Sequence, residues 1–134
     1  MFRSTTSWCN KQDALYPTPS APNIVKGFSK IGYRTLGVGG VHWFDTRFLS
    51  SSFWQGQYFE EFYWQENFGE EYNNSFENQI SLVKQLFSNA SPSQLTFFFI
   101  NIAATHKPYR NGEQTIYGQA AALEYIDLYI INLI

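Results

Sequence analysis

Two histidines, His42 and His106, are the only imidazoles in this 134-residue chain. A histidine can donate to an anion or ligate a metal. Each one follows an apolar run: "YRTLGVGG" leads into "VHWFD", and "TFFFINIAA" leads into "THKPYR". The second tip adds Lys107 and Arg110, cations suited to lie near an anionic group. His42, Asn101, His106 and Lys107 are therefore the candidate substrate-binding residues. Gly37, Gly39 and Gly40 permit close backbone approach but spell neither GxGxxG nor a P-loop, so a nucleotide site is a weak reading. No Ser or Cys nucleophile motif is visible, and no carboxylate pair has interpretable spacing; no catalytic residue is assigned. A complete metal site needs three or four ligands. Only the two histidines have a positional argument, so no metal ligand is assigned either.

The elements that would position these residues can be read from periodicity. Residues 1–20 are polar, with Pro17 and Pro19, and read as an irregular N-terminal segment. Ser20 and Pro22 then open a helix through "APNIVKGFSKIG" that stops at Gly32, with Ile24, Val25, Phe28 and Ile31 on one face. "YRTLGVGG" is a strand of about five residues running into glycines. Residues 41–72 are rich in aromatics without a clean period and read as a long excursion over the strand tips, with one short helix at most. Its Glu60, Glu61, Glu66, Glu70 and Glu71 read as a solvated face, because no calcium-loop spacing accompanies them. Asn74 and Glu77 form a capping box for a helix whose stripe is Phe76, Ile80, Val83 and Phe87. "QLTFFFINIAA" is continuously apolar, as in a strand covered on both faces. The last helix places Ile116, Ala120, Leu123, Ile126 and Ile130 at helical spacing.

Two strands joined by a helical crossover should lie parallel. In open parallel sheets, ligands sit beyond the carboxyl ends of the strands. By that rule both histidines emerge at one edge of the sheet.

Bulk composition removes several alternatives. Hydrophobic residues make up 44% and charged residues 15%, which excludes a disordered chain. The 19% aromatic content is most simply a core filled with Phe and Tyr. A net charge of −2 and nine scattered basic residues leave no footprint for nucleic acid or for an anionic membrane. Cys9 is the sole cysteine, so no intrachain disulfide forms, and a reducing cytoplasm is the expected compartment. Neither a signal peptide nor a membrane span is legible.

Three segments together resemble the sulfatase-like members of the alkaline phosphatase superfamily. "APNIVKGFSKIGYRTLGVGGVHWF" is similar to that family's helix, GYRT strand and glycine-rich turn with a histidine. "TFFFINIAATHKPYR" resembles its strand ending in a Thr/Ser-His-x-Pro-Tyr turn, and "AAALEYIDLYI" the helix that follows. "SFENQISLVKQL" and "VGGVHWF" point to a bacterial branch labelled metalloenzyme-like hydrolases, and the resemblance spans residues 21–131.

The resemblance implies a partial α/β sandwich of parallel strands and crossover helices over 21–134, and cleavage of phosphate or sulfate esters at a divalent metal such as Zn, Mn or Ca. It implies that His106 contacts the ester oxyanion and that His42 matches the histidine of the family's Gly-Lys-Trp-His turn. Gly40 stands where that turn has lysine, and neither metal-binding block nor nucleophile is recognisable. Cys9 is not followed by the Cys-x-Pro-x-Arg pattern of sulfatases. The expectation is a truncated or split hydrolase-like piece, inactive alone, with no cofactor of its own. A complementary chain or a second copy would cover the apolar C-terminal helix. A compact, self-sufficient metal hydrolase would need ligands that are not visible. The rival expectation is a non-catalytic binding or regulatory module whose contact surface is the aromatic 43–72 segment, with Trp54 and Trp64.

Overall fold

The computed structural model describes residues 23–45, 47 and 56–133. The 1–20 segment, Cys9, the proposed helix start at Ser20 and Pro22, and Trp54 lie outside them. Helix α1 (Ile24–Lys30) begins at Asn23, whose Oδ1 accepts the Lys26 amide at 2.9 Å. Gly32, at φ 87°, takes the left-handed turn that releases the chain into β1 (Arg34–Val38). Strand β2 (Glu61–Tyr63) follows, then α2 (Ser75–Ser88), β3 (Thr96–Ile100) and α3 (Ile116–Ile130).

The strands form one parallel sheet in the order β2-β1-β3. Leu36 stands opposite Glu61 on one side and Phe98 on the other, and Val38 opposite Tyr63 and Ile100. The twofold alternation of a strand sends successive side chains to opposite faces. On one face Val38 packs with Val83 of α2 and with Phe68, while Phe98, Ile100 and Leu133 close around them. Beside it Phe76 and Ile80 of α2 meet Tyr125 and Ile126 of α3 over Ala104. On the other face Phe97 stacks on Phe28 of α1 at 4.5 Å, and Phe59 packs against Phe62, Phe97 and Phe99. Among the described residues, many of the aromatics pack in two layers separated by the sheet. A Cβ at Gly37 would lie 2.4 Å from the Phe62 ring, so the glycine is what lets that ring cross β1.

Several expectations are corrected. The 41–72 stretch is not simply an excursion: its Glu61–Tyr63 adds a third strand, too short for its alternation to stand out. The fully covered strand is β1, while every residue of the apolar β3 is only half-buried, because β3 lies at an edge of the described sheet. The Asn74–Glu77 capping box does not form; the Asn74 side chain makes no cap hydrogen bond. On α1 only Val25 is buried, and Ile24 and Ile31 face outward. Phe87 of the α2 stripe is largely exposed, its ring set edge-on to Phe98.

Helix α3 shares only Ile126 with the inward stripe expected for it. Gly118, Ala122, Tyr125 and Ile126 are buried, while Ile116, Leu123 and Ile130 are exposed. A Cβ at Gly118 would lie 2.9 Å from the Glu113 carbonyl, so this glycine lets the preceding turn fold against the first turn of the helix. A helix apolar on several sides has no single stripe to reveal its packing face. No helix among the described residues is long and apolar enough to cross a membrane.

Candidate functional site at the sheet edge

The carboxyl ends of all three strands open on one edge, because the strands are parallel. Beyond β1 the chain runs through Gly39 and Gly40 into a 3-10 turn, His42–Phe44. Beyond β3 it runs through Asn101 into a second 3-10 turn, Ala103–Thr105. These two tips are in contact. Asn101 Oδ1 accepts the amides of Gly40 and Val41 at 3.3 and 3.1 Å, and the Asn101 amide donates to the Val38 carbonyl at 2.9 Å. A Cβ at Gly40 would stand 2.3 Å from the Asn101 carbonyl oxygen and 2.7 Å from the Ala103 nitrogen, so only glycine fits between the tips. Asn101 is therefore the clamp of this edge, and its side-chain oxygen is already engaged by backbone.

The clamp is held from below by Gln79, which is fully buried on α2. Its Nε2 donates to the Asn101 carbonyl at 2.8 Å and to the Gly39 carbonyl at 3.3 Å. One side-chain amide thereby satisfies both strand ends, where the ladder can no longer do so. Its Oε1 is buried without a hydrogen-bond partner among the described residues. From above, Trp64 Nε1 donates to the Gly40 and Val41 carbonyls at 3.0 and 3.3 Å.

His42 leans toward β2. Its ring lies 5.8 Å from the Trp64 ring, and Nδ1 stands 3.5 Å from Glu70 Oε2. That separation is long for a hydrogen bond, and the oxygen is shielded from solvent with no other partner among the described residues. The imidazole itself is half-exposed. Three residues on, Asp45 is fully buried and paired with Arg47, Oδ2 to Nη2 at 2.8 Å. The Arg47 hydrogen bond holds the Asp45 carboxyl below the usual carboxylate range, against the opposing effect of burial.

His106 closes the Ala103–Thr105 turn, its amide donating to the Ala103 carbonyl at 2.8 Å, and its side chain is exposed. Lys107 beside it is exposed as well, and the Lys107–Pro108 peptide is cis. Arg110 is turned away from any ligand role. Its Nε donates to the Asn73 carbonyl at 2.9 Å and its guanidinium lies 3.9 Å over the Tyr125 ring. Burial pushes the Tyr125 hydroxyl up to about 12.

The fold thus places His42, Asn101, His106 and Lys107 on one edge and joins the segments that carry them. It does not join the two imidazoles: no hydrogen bond, ion pair or ring contact links His42 with His106. A resident divalent metal does not fit the described residues, since no three His, Cys, Asp or Glu side chains among them converge. His42 with Glu70 is a pair, short of the three or four donors a metal requires.

Of the glutamates read as a solvated face, Glu60, Glu66 and Glu71 are exposed, and several make surface contacts. Glu61 pairs with Arg34 at 2.7 Å, and the Glu60 carboxylate accepts from Ser29 Oγ and the Thr35 amide. Glu66 reaches Arg47 at 3.7 Å, and Glu70 faces His42. Glu70 and Gln79 are the site residues that sequence reasoning missed. Gln79 left a signal, a polar residue beside the apolar stripe of α2; Glu70 left none, because no period relates it to His42. No protein-family model matches the chain, and no curated protein or solved structure matches it either.

Proposed function

We propose that the chain is part of a metal-dependent phosphate or sulfate ester hydrolase-like protein, a truncated or split piece that is inactive alone. Its sheet edge meets the anionic group of the ester. The observation that carries this reading is the parallel order β2-β1-β3, which opens the tips bearing His42, Asn101, His106 and Lys107 on one side. Ligands of open parallel sheets bind beyond such an edge, and two exposed or half-exposed imidazoles with a lysine suit an oxyanion. The metal and nucleophile would come from a complementary chain, and the α/β framework would be a portion of a sulfatase-like sandwich. Cytoplasmic residence belongs to the same reading.

The test is binding and turnover with the isolated chain. Aryl phosphate and aryl sulfate esters should show no turnover with or without Zn²⁺, Mn²⁺ or Ca²⁺. Inorganic phosphate and sulfate should perturb the imidazole NMR signals of His42 and His106, and His106→Ala should abolish that response. Robust turnover lost in His106→Ala would refute the inactive-piece reading; imidazoles indifferent to both anions would refute the anion edge.

A binding module is favoured by one observation, the large exposure of Trp43 (56%) beside His42. Trp64 is tied to the Gly40 and Val41 carbonyls through its indole N–H. Saturable sugar binding lost in Trp43→Ala, with anion binding absent, would select that reading.

A further inference from the structure

We infer that β3 is a self-association edge, and that a second copy of this chain pairs with it antiparallel about a two-fold axis through Phe98. The inference concerns the outward backbone groups of β3, along its side, and does not depend on ester binding.

In the described sheet, β1 is central and β3 has a neighbour on one side only. Arg34 donates to the Leu95 carbonyl and Asn101 donates to the Val38 carbonyl, both at 2.9 Å. Those two bonds set the parity of the parallel ladder. The odd-numbered residues of β3 direct their N–H and C=O groups to β1. Thr96, Phe98 and Ile100 direct theirs away from it. Unpaired backbone groups in a row form a template for another strand.

The two sheet edges differ in how they meet that hazard. Strand β2 is three residues long, and Glu60 and Glu61 put carboxylates on it. Strand β3 is five residues, Thr-Phe-Phe-Phe-Ile, with no charge, proline or glycine. Among the described residues, no charge, proline, glycine or paired strand blunts this edge.

The occupant follows from symmetry. The outward-facing set, Thr96, Phe98 and Ile100, is centred on Phe98. Antiparallel pairing about that residue sets Phe98 opposite its own copy and Thr96 opposite Ile100, and every outward N–H and C=O of the three finds a partner. A two-fold contact is closed, so it ends at a dimer. A charged edge would place like charges opposite each other; this one places none.

The face that carries Phe98 also has room for the copy. A cavity of about 280 Å³ lies between α2 and the end of the chain, lined by Val83, Lys84, Phe87, Phe98 and Leu133. Cross-strand side chains stand about 5 Å apart, so the second Phe98 ring enters the space beside the first, against the half-exposed ring of Phe87.

The experiment is analytical ultracentrifugation of the full chain across a concentration series, with residue-resolved amide exchange at the two extremes. The expected result is a monomer–dimer equilibrium in which Thr96, Phe98 and Ile100 amides are protected in the dimer and exchange on dilution. Thr96→Pro removes an outward donor and no bond to β1, and should weaken dimerisation about tenfold or more by losing its two symmetry-related hydrogen bonds. Unchanged circular dichroism and protected Phe97 and Phe99 amides would show that this variant is folded. A monomer at all concentrations overturns the inference, whether the outward amides exchange freely or are covered by other residues of the same chain. A dimer whose outward β3 amides exchange freely, as when α3 forms the contact, overturns it equally.

Discussion

Asp45 illustrates how a single residue can be structural and still bear on the site. It sits three residues past His42, fully buried, and its charge survives there because Arg47 supplies both a side-chain pair and a backbone amide to Oδ1. A carboxyl whose folded pKa lies below its ordinary value stabilises the fold where it is ionised. Its contribution is complete above the ordinary Asp value of about 3.9 and fades as pH falls through the lower folded value. Asp45→Asn should therefore be less stable than the parent at neutral pH, and the two should converge in strong acid. Urea unfolding between pH 2 and pH 7, a range set around the reference Asp pKa of about 3.9, would show it; a gap unchanged across that range would mean the pair contributes nothing through ionisation. The same economy governs Asn101. Its type and position suggested a ligand contact, yet its oxygen is committed to two backbone amides.

Helix α2 shows what an element contributes beyond its apolar stripe. Phe76, Ile80 and Val83 bind it to the sheet through burial, while Gln79, among them, ties it to both strand ends. Replacing Gln79 by Leu keeps the volume and strands two buried carbonyls, which should cost about 1–3 kcal/mol. Gln79→Glu should behave differently with pH. A buried carboxylate facing two carbonyl oxygens is disfavoured, so its folded pKa rises. Such a variant is most stable in acid and loses stability as pH climbs through that raised value. Denaturation midpoints of both variants at pH 4 and pH 7, below and above the ordinary Glu value of about 4.3, are the check. Equal pH profiles for Leu and Glu would exclude a carboxylate held against the strand ends.

At the scale of the whole molecule, the sheet separates two unlike layers, a phenylalanine layer against α1 and a mixed aliphatic and aromatic layer against α2 and α3. Phe68 belongs to the second layer although it comes from the 41–72 stretch, and it is almost wholly buried with Val38 and Val83. Phe68→Ala should cost about 3–5 kcal/mol, and Ile126→Ala on the inner face of α3 about 2–5 kcal/mol. Leu123→Ala on the outer face should stay within about 0.5 kcal/mol. Chemical denaturation of the three separates the packed face of α3 from the exposed one. A Leu123→Ala loss as large as that of Ile126→Ala would show that the outer face is covered in solution.

What the chain determined by itself were the features that depend on near neighbours. The glycine stop of α1 at Gly32, the five-residue length of β1, the α2 core of Phe76, Ile80 and Val83, and the apolar identity of β3 follow from local periodicity and turn chemistry. The tip residues His42, Asn101, His106 and Lys107 were legible because an apolar run ending in polar residues marks a strand end. What tertiary structure alone decided were relations between distant segments. Three residues of the 41–72 stretch became a strand because β1 offered them a ladder, not because their own pattern required it. Which face of α3 turned inward was decided by Tyr125 and Ile126 meeting Phe76 and Ile80, in a helix apolar on more than one side. Glu70 came to face His42, and Gln79 to hold Asn101, across separations that no periodicity spans. Hydrogen bonds and close packing act over a few ångströms in space, so residues far apart in the chain have no pattern to announce them until the backbone has brought them together.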